Sequence, residues 1–182
     1  PGVVAGGEVG TGGFLRGGAW GTVPPAASDA PTWVPAVLFG AYGRYSAVDW
    51  LYWKIPVRFP DIKICLSEGG IGWVAGILDR LDHCYRYQLG YLPTWRDVDL
   101  TPSEVLRRNF WFCALDDASG VLTRHVISSE NILVETDYPH ADSTWPAPQP
   151  LQRSHTPGVA AGGVRRLCCP NAPSRVPCPA PA

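Results

Sequence analysis

Three short apolar runs recur along the middle of the chain and predict three buried strands. They cover residues 62–67, 109–115 and 132–135, and β-branched or aromatic side chains are frequent in each. Short continuous apolar runs are typical of strands whose two faces are both covered, as in a parallel sheet. Helical patterns at 74–87 and at 119–126 lie between the runs. This alternation predicts repeated βα units around a parallel sheet.

The clearest helix start in the chain is the sequence Thr101-Pro102-Ser103-Glu104. It combines a threonine cap, a proline at the first helical position and a glutamate three residues after the cap. These three features stabilise the first turn of a helix, so the sequence predicts a short helix that ends near Arg108.

An apolar and aromatic segment at residues 33–53 precedes the first strand. It predicts one or two helices that are interrupted near Gly40 and Gly43, because glycine disfavours the helix interior. Pro60 excludes a continuing helix, since its ring clashes with the preceding turn. A further strand before Thr22 would extend the sheet to four strands.

Composition divides the chain into three parts. Residues 1–21 are predicted to be a Gly-rich irregular lead-in, 22–146 the folded domain, and 147–182 a disordered tail rich in Pro, Ala and Arg. Three or four strands make about half of an eight-stranded barrel, a fold that needs roughly 200 residues or more. The chain also begins at Pro1 and contains no Met. We therefore expect the rest of the barrel to lie outside this sequence.

Charge, hydropathy and cysteine content indicate which binding partners and which cellular compartment to expect. The formal net charge is −1, so no general basic field favours nucleic acid. No apolar run approaches the length of a membrane span. Cys65, Cys84 and Cys113 are isolated in the sequence, and the six cysteines form no C-x-x-C pair. These features predict reduced thiols and a cytoplasmic location, without a zinc knuckle.

Carboxylates follow the predicted strands, at the edge where α/β enzymes place their chemistry. Glu68 follows the first strand, and Asp137 and His140 follow the last. The alternative for Glu68 and Asp137 is a purely structural role, as carboxylates that bond within a turn or at the end of a strand. Asp116 and Asp117 follow the middle strand, and capping of the next helix is the favoured role for them.

Three motifs, in chain order, resemble the amidohydrolase-related family. They are S-E-G-G-I-G-W at 67–73, R-R-N-F-W at 107–111 and E-T-D-Y-P-H at 135–140. The resemblance covers about residues 22–146 and is strongest to the aminocarboxymuconate-semialdehyde decarboxylase-like branch. It implies an α/β fold, a partial TIM (β/α)8 barrel corresponding to roughly the C-terminal half. It also implies a divalent metal, usually zinc, and hydrolysis or non-oxidative decarboxylation of a small carboxylic acid.

The same resemblance implies roles for three residues. Asp137 matches the family's eighth-strand metal ligand, which also takes a proton from metal-bound water in hydrolytic members. Glu68 stands where decarboxylase relatives carry a catalytic histidine, so it would act as acid, base or substrate contact. His140 would orient the metal ligand or contact substrate.

The chain also departs from the family pattern. It has no H-x-H segment, and Arg16 falls where a ligand histidine is expected. Arginine cannot bind a metal cation, and catalytic zinc normally has three protein ligands. We therefore expect this chain alone to bind zinc weakly and to be inactive as isolated.

Two further hypotheses remain at this stage. One is a non-catalytic remnant of such an enzyme, which would pack through open sheet edges against a partner or into a homo-oligomer. The other is a nucleotide-binding module at the Gly-rich start, although the glycine spacing there does not match G-x-G-x-x-G.

Overall fold

The structure is a computed structural model. It describes residues 12–16, 29, 31, 33–88, 93–136, 138–139 and 143–144; the side chains of residues 12–16, 35, 36, 88 and 93 are excepted. The predicted tail at 147–182 and most of the predicted lead-in lie outside this set.

The described chain alternates strands with helices in the order that the sequence predicts. The elements in chain order are β1 Gly12–Arg16, α1 Trp33–Val37, α2 Gly40–Tyr52, α3 Ile55–Arg58, β2 Lys63–Ser67, α4 Val74–Gln88, α5 Pro102–Asn109, β3 Phe110–Ala114, α6 Ala118–Leu122, α7 Arg124–Ile127 and β4 Ile132–Val134. Short 3-10 turns at Pro93–Trp95 and Ser129–Asn131 precede α5 and β4.

The four strands form one parallel sheet in the order β1-β2-β3-β4. Cys65 pairs with Trp111 between β2 and β3, and Phe112 pairs with Ile132 between β3 and β4. Consecutive parallel strands joined through helices are the arrangement of a (β/α)8 barrel. This confirms the predicted α/β class and the partial barrel.

Strand β1 corrects one boundary of the sequence interpretation. Gly12–Arg16 lies inside the segment that was predicted to be an irregular lead-in, and it corresponds to the further strand before Thr22 that the sequence left open. Glycine gives the segment weak strand propensity of its own. Pairing with β2 along its whole length supplies the order that local sequence does not.

One face of the sheet packs against the helices. Alternate strand residues, among them Leu66, Phe110 and Phe112, are 2% exposed or less and form a continuous core with helix residues. The helix residues in this core are Ala47, Trp50, Leu51, Val74, Ile77, Leu78, Leu81, Val105, Leu106 and Ile127. The helices therefore cover a single face, as they do on the outside of a barrel.

The helices differ from the predicted ones in two places. The predicted break near Gly40 lies at the turn before that residue, but Gly43 is inside α2. Its missing side chain serves packing, since a Cβ there would lie 3.3 Å from the Cα of Gly69. The helix predicted at 119–126 is two short helices, which Thr123 separates.

Two buried asparagines fix the amino ends of the strands. The side-chain amide of Asn109 donates to the carbonyl of Ile62 (2.8 Å), and that of Asn131 donates to the carbonyl of Phe110 (2.7 Å). Buried polar groups are stable when they are bonded in this way.

Among the helices that the structure describes, none is both long and apolar enough to cross a bilayer.

Candidate active site at the carboxyl edge of the sheet

The strand residues that alternate with the helix-side core belong to the opposite face of the sheet. This inner face is defined by Lys63, Cys65, Ser67, Trp111 and Cys113. At its amino end the Lys63 ammonium lies 5.0 Å from the centre of the Trp111 ring, a cation–π contact. Towards the carboxyl edge the side chains become small and polar, and the candidate site begins there.

Glu135 is the residue that joins the strands at this edge. It directly follows β4, and its backbone N–H continues the ladder by donating to the carbonyl of Ala114 (3.1 Å). Its carboxylate accepts a hydrogen bond from the hydroxyl of Ser67 (2.6 Å) and another from the backbone N–H of Glu68. The side chain therefore reaches from β4 across β3 to the end of β2, roughly two interstrand spacings of about 4.8 Å. Alternate strands share one interior layer in a (β/α)8 barrel, and this contact follows that rule.

Burial dominates the electrostatics of Glu135. Desolvation raises the pKa of its carboxyl, and the negative charge of Glu68 acts in the same direction. The hydrogen bonds from Ser67, the Glu68 N–H and Cys113 oppose the rise, because they favour the charged form. The net shift of the pKa is upward, so this carboxyl retains its proton to a higher pH than a solvated glutamate does.

Two free cysteines lie beneath this carboxyl on the inner face. The sulfur atoms of Cys65 and Cys113 are 3.4 Å apart, and both residues are buried. The hydrogen bond with Cys65 and then burial raise the pKa of the Cys113 thiol well above its usual range. Cys113 is therefore a neutral thiol. Cys65, Cys84 and Cys113 are free cysteines in the structure.

The structure places Glu68 at the carboxyl end of β2, at the start of the glycine loop. Its backbone is left-handed, with φ of 60°, and Gly70 has φ of 64°. The indole N–H of Trp73 donates to the carbonyl of Gly69 (2.9 Å). This bond fixes the loop relative to the start of α4, which follows Trp73. Glu68 is half-buried on a loop whose backbone is held at several points.

Asp117 holds the far side of the same loop, which corrects the predicted role of that residue. It occupies the cap position of α6 but makes no side-chain capping bond. Its carboxylate instead accepts from the N–H groups of Ile71 (3.1 Å), Gly72 (3.3 Å) and Leu115 (3.1 Å). The loops after β2 and β3 are thus joined through one side chain.

The predicted residues Asp137 and His140 lie outside the described residues. Thr136 before them and residues 143–144 after them are described. The carbonyl of Thr136 accepts from the N–H of Thr144 (3.0 Å) and from the hydroxyl of Ser143 (2.7 Å). The described chain therefore returns at 143–144 to a point one residue beyond Glu135.

The side chains that the structure describes do not fit a metal site by themselves. They contain no group of three or more His, Cys, Asp or Glu residues that could hold an ion. The Glu135 carboxylate is bonded to Ser67 and Glu68. Arg16, at the end of β1 in register with Ser67, is not a metal-binding residue type.

Sequence reasoning missed Glu135 and the contact between the two cysteines. The signal for Glu135 was a carboxylate directly after a buried apolar run, since charged groups are rarely buried unless they have partners. The partners themselves could not be named, because they are 67 and 68 positions away in the chain.

The sequence matches no protein-family model and no curated protein. Solved structures of similar fold include two enzymes. An amidohydrolase from Mycobacterium avium subsp. paratuberculosis K-10 has a TM-score of 0.61 and 22% identity, over 76% of this chain and 34% of that one. The 5-carboxyvanillate decarboxylase LigW from Sphingomonas paucimobilis has a TM-score of 0.60 and 21% identity, over 78% of this chain and 44% of that one. The chain thus spans less than half the length of either enzyme, and the likeness establishes the fold.

Proposed function

We propose that this chain forms part of a metal-dependent hydrolase or non-oxidative decarboxylase that acts on a small carboxylic acid. One observation carries the proposal. The parallel sheet β1-β2-β3-β4 has the fold of both an amidohydrolase and a decarboxylase. The motif residue Glu68 follows β2 at the carboxyl edge, where barrel enzymes place reacting groups.

The residue roles in the proposal follow the family resemblance. Asp137 holds the divalent metal, zinc being the first candidate, and His140 orients Asp137 or contacts the substrate. When bound, the metal supplies Lewis acidity. The described residues do not complete such a site, so the metal assignment depends on Asp137 and on the resemblance.

Glu68 is the group through which the described residues take part in the reaction. A carboxyl group can donate a proton when it is protonated and accept one when it is ionised. As a carboxylate it can also accept a hydrogen bond from a protonated substrate acid. Its loop is bonded to Asp117, to Trp73 and to Glu135, so its backbone is held before any ligand arrives. Such preorganisation is what a reacting group requires.

Zinc binding is the first arm of the test. The purified chain is titrated with Zn²⁺ by calorimetry, beside the variants Asp137→Asn and Glu130→Gln. Glu130 is an exposed carboxylate in the turn before β4 and serves as the matched control. We expect weak binding that dialysis removes, a loss of roughly tenfold or more in affinity for Asp137→Asn, and no change for Glu130→Gln. Equal affinity in all three proteins contradicts the metal assignment.

Turnover with excess Zn²⁺ is the second arm. Release of CO2 from aromatic and unsaturated carboxylic acids is compared with release of acid from amides and esters. Because zinc binding is weak, we expect no activity without added Zn²⁺ and turnover only when excess Zn²⁺ fills the site. Asp137→Asn should abolish that turnover, and Glu68→Gln should reduce it. The substrate set that responds decides between decarboxylation and hydrolysis. Absence of Asp137-dependent turnover in both sets overturns the catalytic proposal.

A further inference from the structure

We infer that Glu135 is a positioning residue, which fixes the backbone of Glu68 and thereby the direction of the Glu68 side chain. The inference rests on the proposed function in one respect, namely that Glu68 contacts the substrate or a reacting atom. The contact between Glu135 and Glu68 stands on geometry alone.

The first step of the argument is that Glu135 holds two consecutive residues with its two oxygens. One oxygen accepts from the Ser67 hydroxyl at 2.6 Å, and the other accepts from the backbone N–H of Glu68. Two bonds to neighbouring residues define an orientation, whereas one bond defines only a distance. The end of β2 is therefore fixed relative to the end of β4, across the intervening β3.

The second step is that Glu68 needs such a support. Its φ of 60° is left-handed, a conformation that a residue with a Cβ rarely adopts unless its surroundings impose it. The following glycines do not share this restriction, because they lack a Cβ. A hydrogen bond from the Glu68 N–H to a carboxyl group stabilises the turn at the residue where it is least favourable.

The third step is that the rest of the loop has separate anchors. Trp73 bonds the carbonyl of Gly69, and Asp117 bonds the N–H groups of Ile71 and Gly72. Loss of Glu135 should therefore release the segment at Ser67 and Glu68 while the later loop residues stay in place. The predicted effect is local, and this separates it from general unfolding.

Two substitutions distinguish positioning from a direct chemical role for Glu135. Glu135→Gln keeps an oxygen that can accept from the Glu68 N–H and an amide that can donate to the Ser67 oxygen. Glu135→Ala removes both contacts. A positioning residue tolerates glutamine but not alanine, whereas a group that must carry charge or a proton fails with either.

Amide hydrogen exchange at residue 68, measured by NMR on the full chain, tests the contact without any activity. We expect protection in the wild type and in Glu135→Gln, and exchange roughly tenfold or more faster in Glu135→Ala. The amide of Leu78 in the core is the internal reference for overall stability. Unchanged exchange at residue 68 in Glu135→Ala overturns the inference, and so does acceleration that is equal at Leu78.

Turnover in the zinc-dependent assay tests the consequence for Glu68. We expect Glu135→Ala to lower kcat as far as Glu68→Gln does, the double variant to show no further loss, and Glu135→Gln to restore most of the rate. Additive losses, or failure of glutamine to rescue, overturn the positioning role. If no variant and no wild type turns over while residue 68 exchanges as expected, the proposed function fails and the structural contact stands.

Discussion

Single residues in this fold matter most where a helix touches the loop after β2, and Gly120 in α6 is the clearest case. A Cβ at this position would lie 2.3 Å from Cγ1 of Ile71 and 3.0 Å from the backbone nitrogen of Gly72. Gly120→Ala should therefore displace the loop after β2. We expect it to lower the free energy of unfolding by about 1–3 kcal/mol, as overpacking does elsewhere, measured by urea denaturation.

Gly76 provides the matched control for that substitution. It is exposed within α4, and a Cβ there would meet nothing within 4 Å. Gly76→Ala should stabilise the fold by about 0.5–1 kcal/mol, since alanine is the better helix former. If both variants are stabilised alike, Ile71 moves aside at little cost and the packing argument at Gly120 is wrong.

Ser46 is a second residue whose substitution has a predictable sign. Its side chain is 1% exposed on the buried face of α2, and its hydroxyl has no hydrogen-bond partner among the residues described. A buried hydroxyl without a partner is destabilising, so Ser46→Ala should raise the free energy of unfolding by about 1 kcal/mol. The exposed Ser119 in α6 is the control, with Ser119→Ala expected to stay within about 0.5 kcal/mol of wild type. A loss of stability in Ser46→Ala would reveal a partner for the hydroxyl.

At the scale of elements, α5 begins with a complete capping box. The Thr101 hydroxyl accepts from the Glu104 N–H (3.3 Å), and the Thr101 N–H donates to the Glu104 carboxylate (2.7 Å). Pro102 occupies the first helical position. This element supports Asn109 and β3, so its stability bears on the sheet.

The capping box should make the stability of the fold depend on pH. The hydrogen bonds from the Thr101 N–H and hydroxyl lower the pKa of the Glu104 carboxyl below its usual value. A group with a lowered folded-state pKa binds fewer protons in the folded state, so its contribution is full above the unfolded-state pKa of about 4.3 and is lost as the pH falls through the folded-state pKa. Urea unfolding between pH 7 and pH 3 should therefore show a larger loss of stability in wild type than in Glu104→Gln. Glu130→Gln, the exposed control, should lose stability as wild type does.

Sequence predicted the elements whose determinants are local. The box at Thr101 is contained within four residues, and β2, β3 and β4 are continuous apolar runs, so all were found. The position of strand β1 was not predicted, because its glycines carry little strand propensity and its order comes from pairing with β2. Asp117 was misassigned for the same reason, since two of its three partners are 45 and 46 positions away.

The residues of the candidate site also differ in whether the local sequence predicts them. Glu68 could be placed at the carboxyl edge from a strand followed by a glycine loop, and the structure has it there. The role of Glu135 depends on the order of the strands and on which face each residue occupies. Neither can be derived from the local pattern, because a shift of one residue along a strand exchanges the two faces.

At the scale of the whole molecule, two carboxylates join three βα units around one loop. Glu135 links the end of β4 to the start of that loop, and Asp117 links the loop after β3 to its middle. The loop that carries Glu68 is therefore held by every strand that follows it in the described chain. The helix-side core binds the same units from the other face of the sheet.

This arrangement predicts that Asp117 stabilises the molecule as a unit. Asp117→Ala removes the acceptor for the N–H groups of Ile71, Gly72 and Leu115, and should lower the free energy of unfolding by about 2–3 kcal/mol. Asp117→Asn should lose less, because one oxygen can still serve Ile71 and Gly72 while its amide cannot accept from Leu115. Urea unfolding is followed by far-UV circular dichroism and by tryptophan fluorescence, with the exposed Asp79→Asn in α4 as control.

The two signals decide what the carboxylate joins. If the loops after β2 and β3 unfold together with the core, both signals for Asp117→Ala shift to lower urea by the same amount and remain one transition. An early change in fluorescence, to which Trp73 beside the loop contributes, followed by a wild-type transition in circular dichroism, would mean that the loop opens independently. The carboxyl edge would then be a separate unit of stability, and the core alone would hold the sheet.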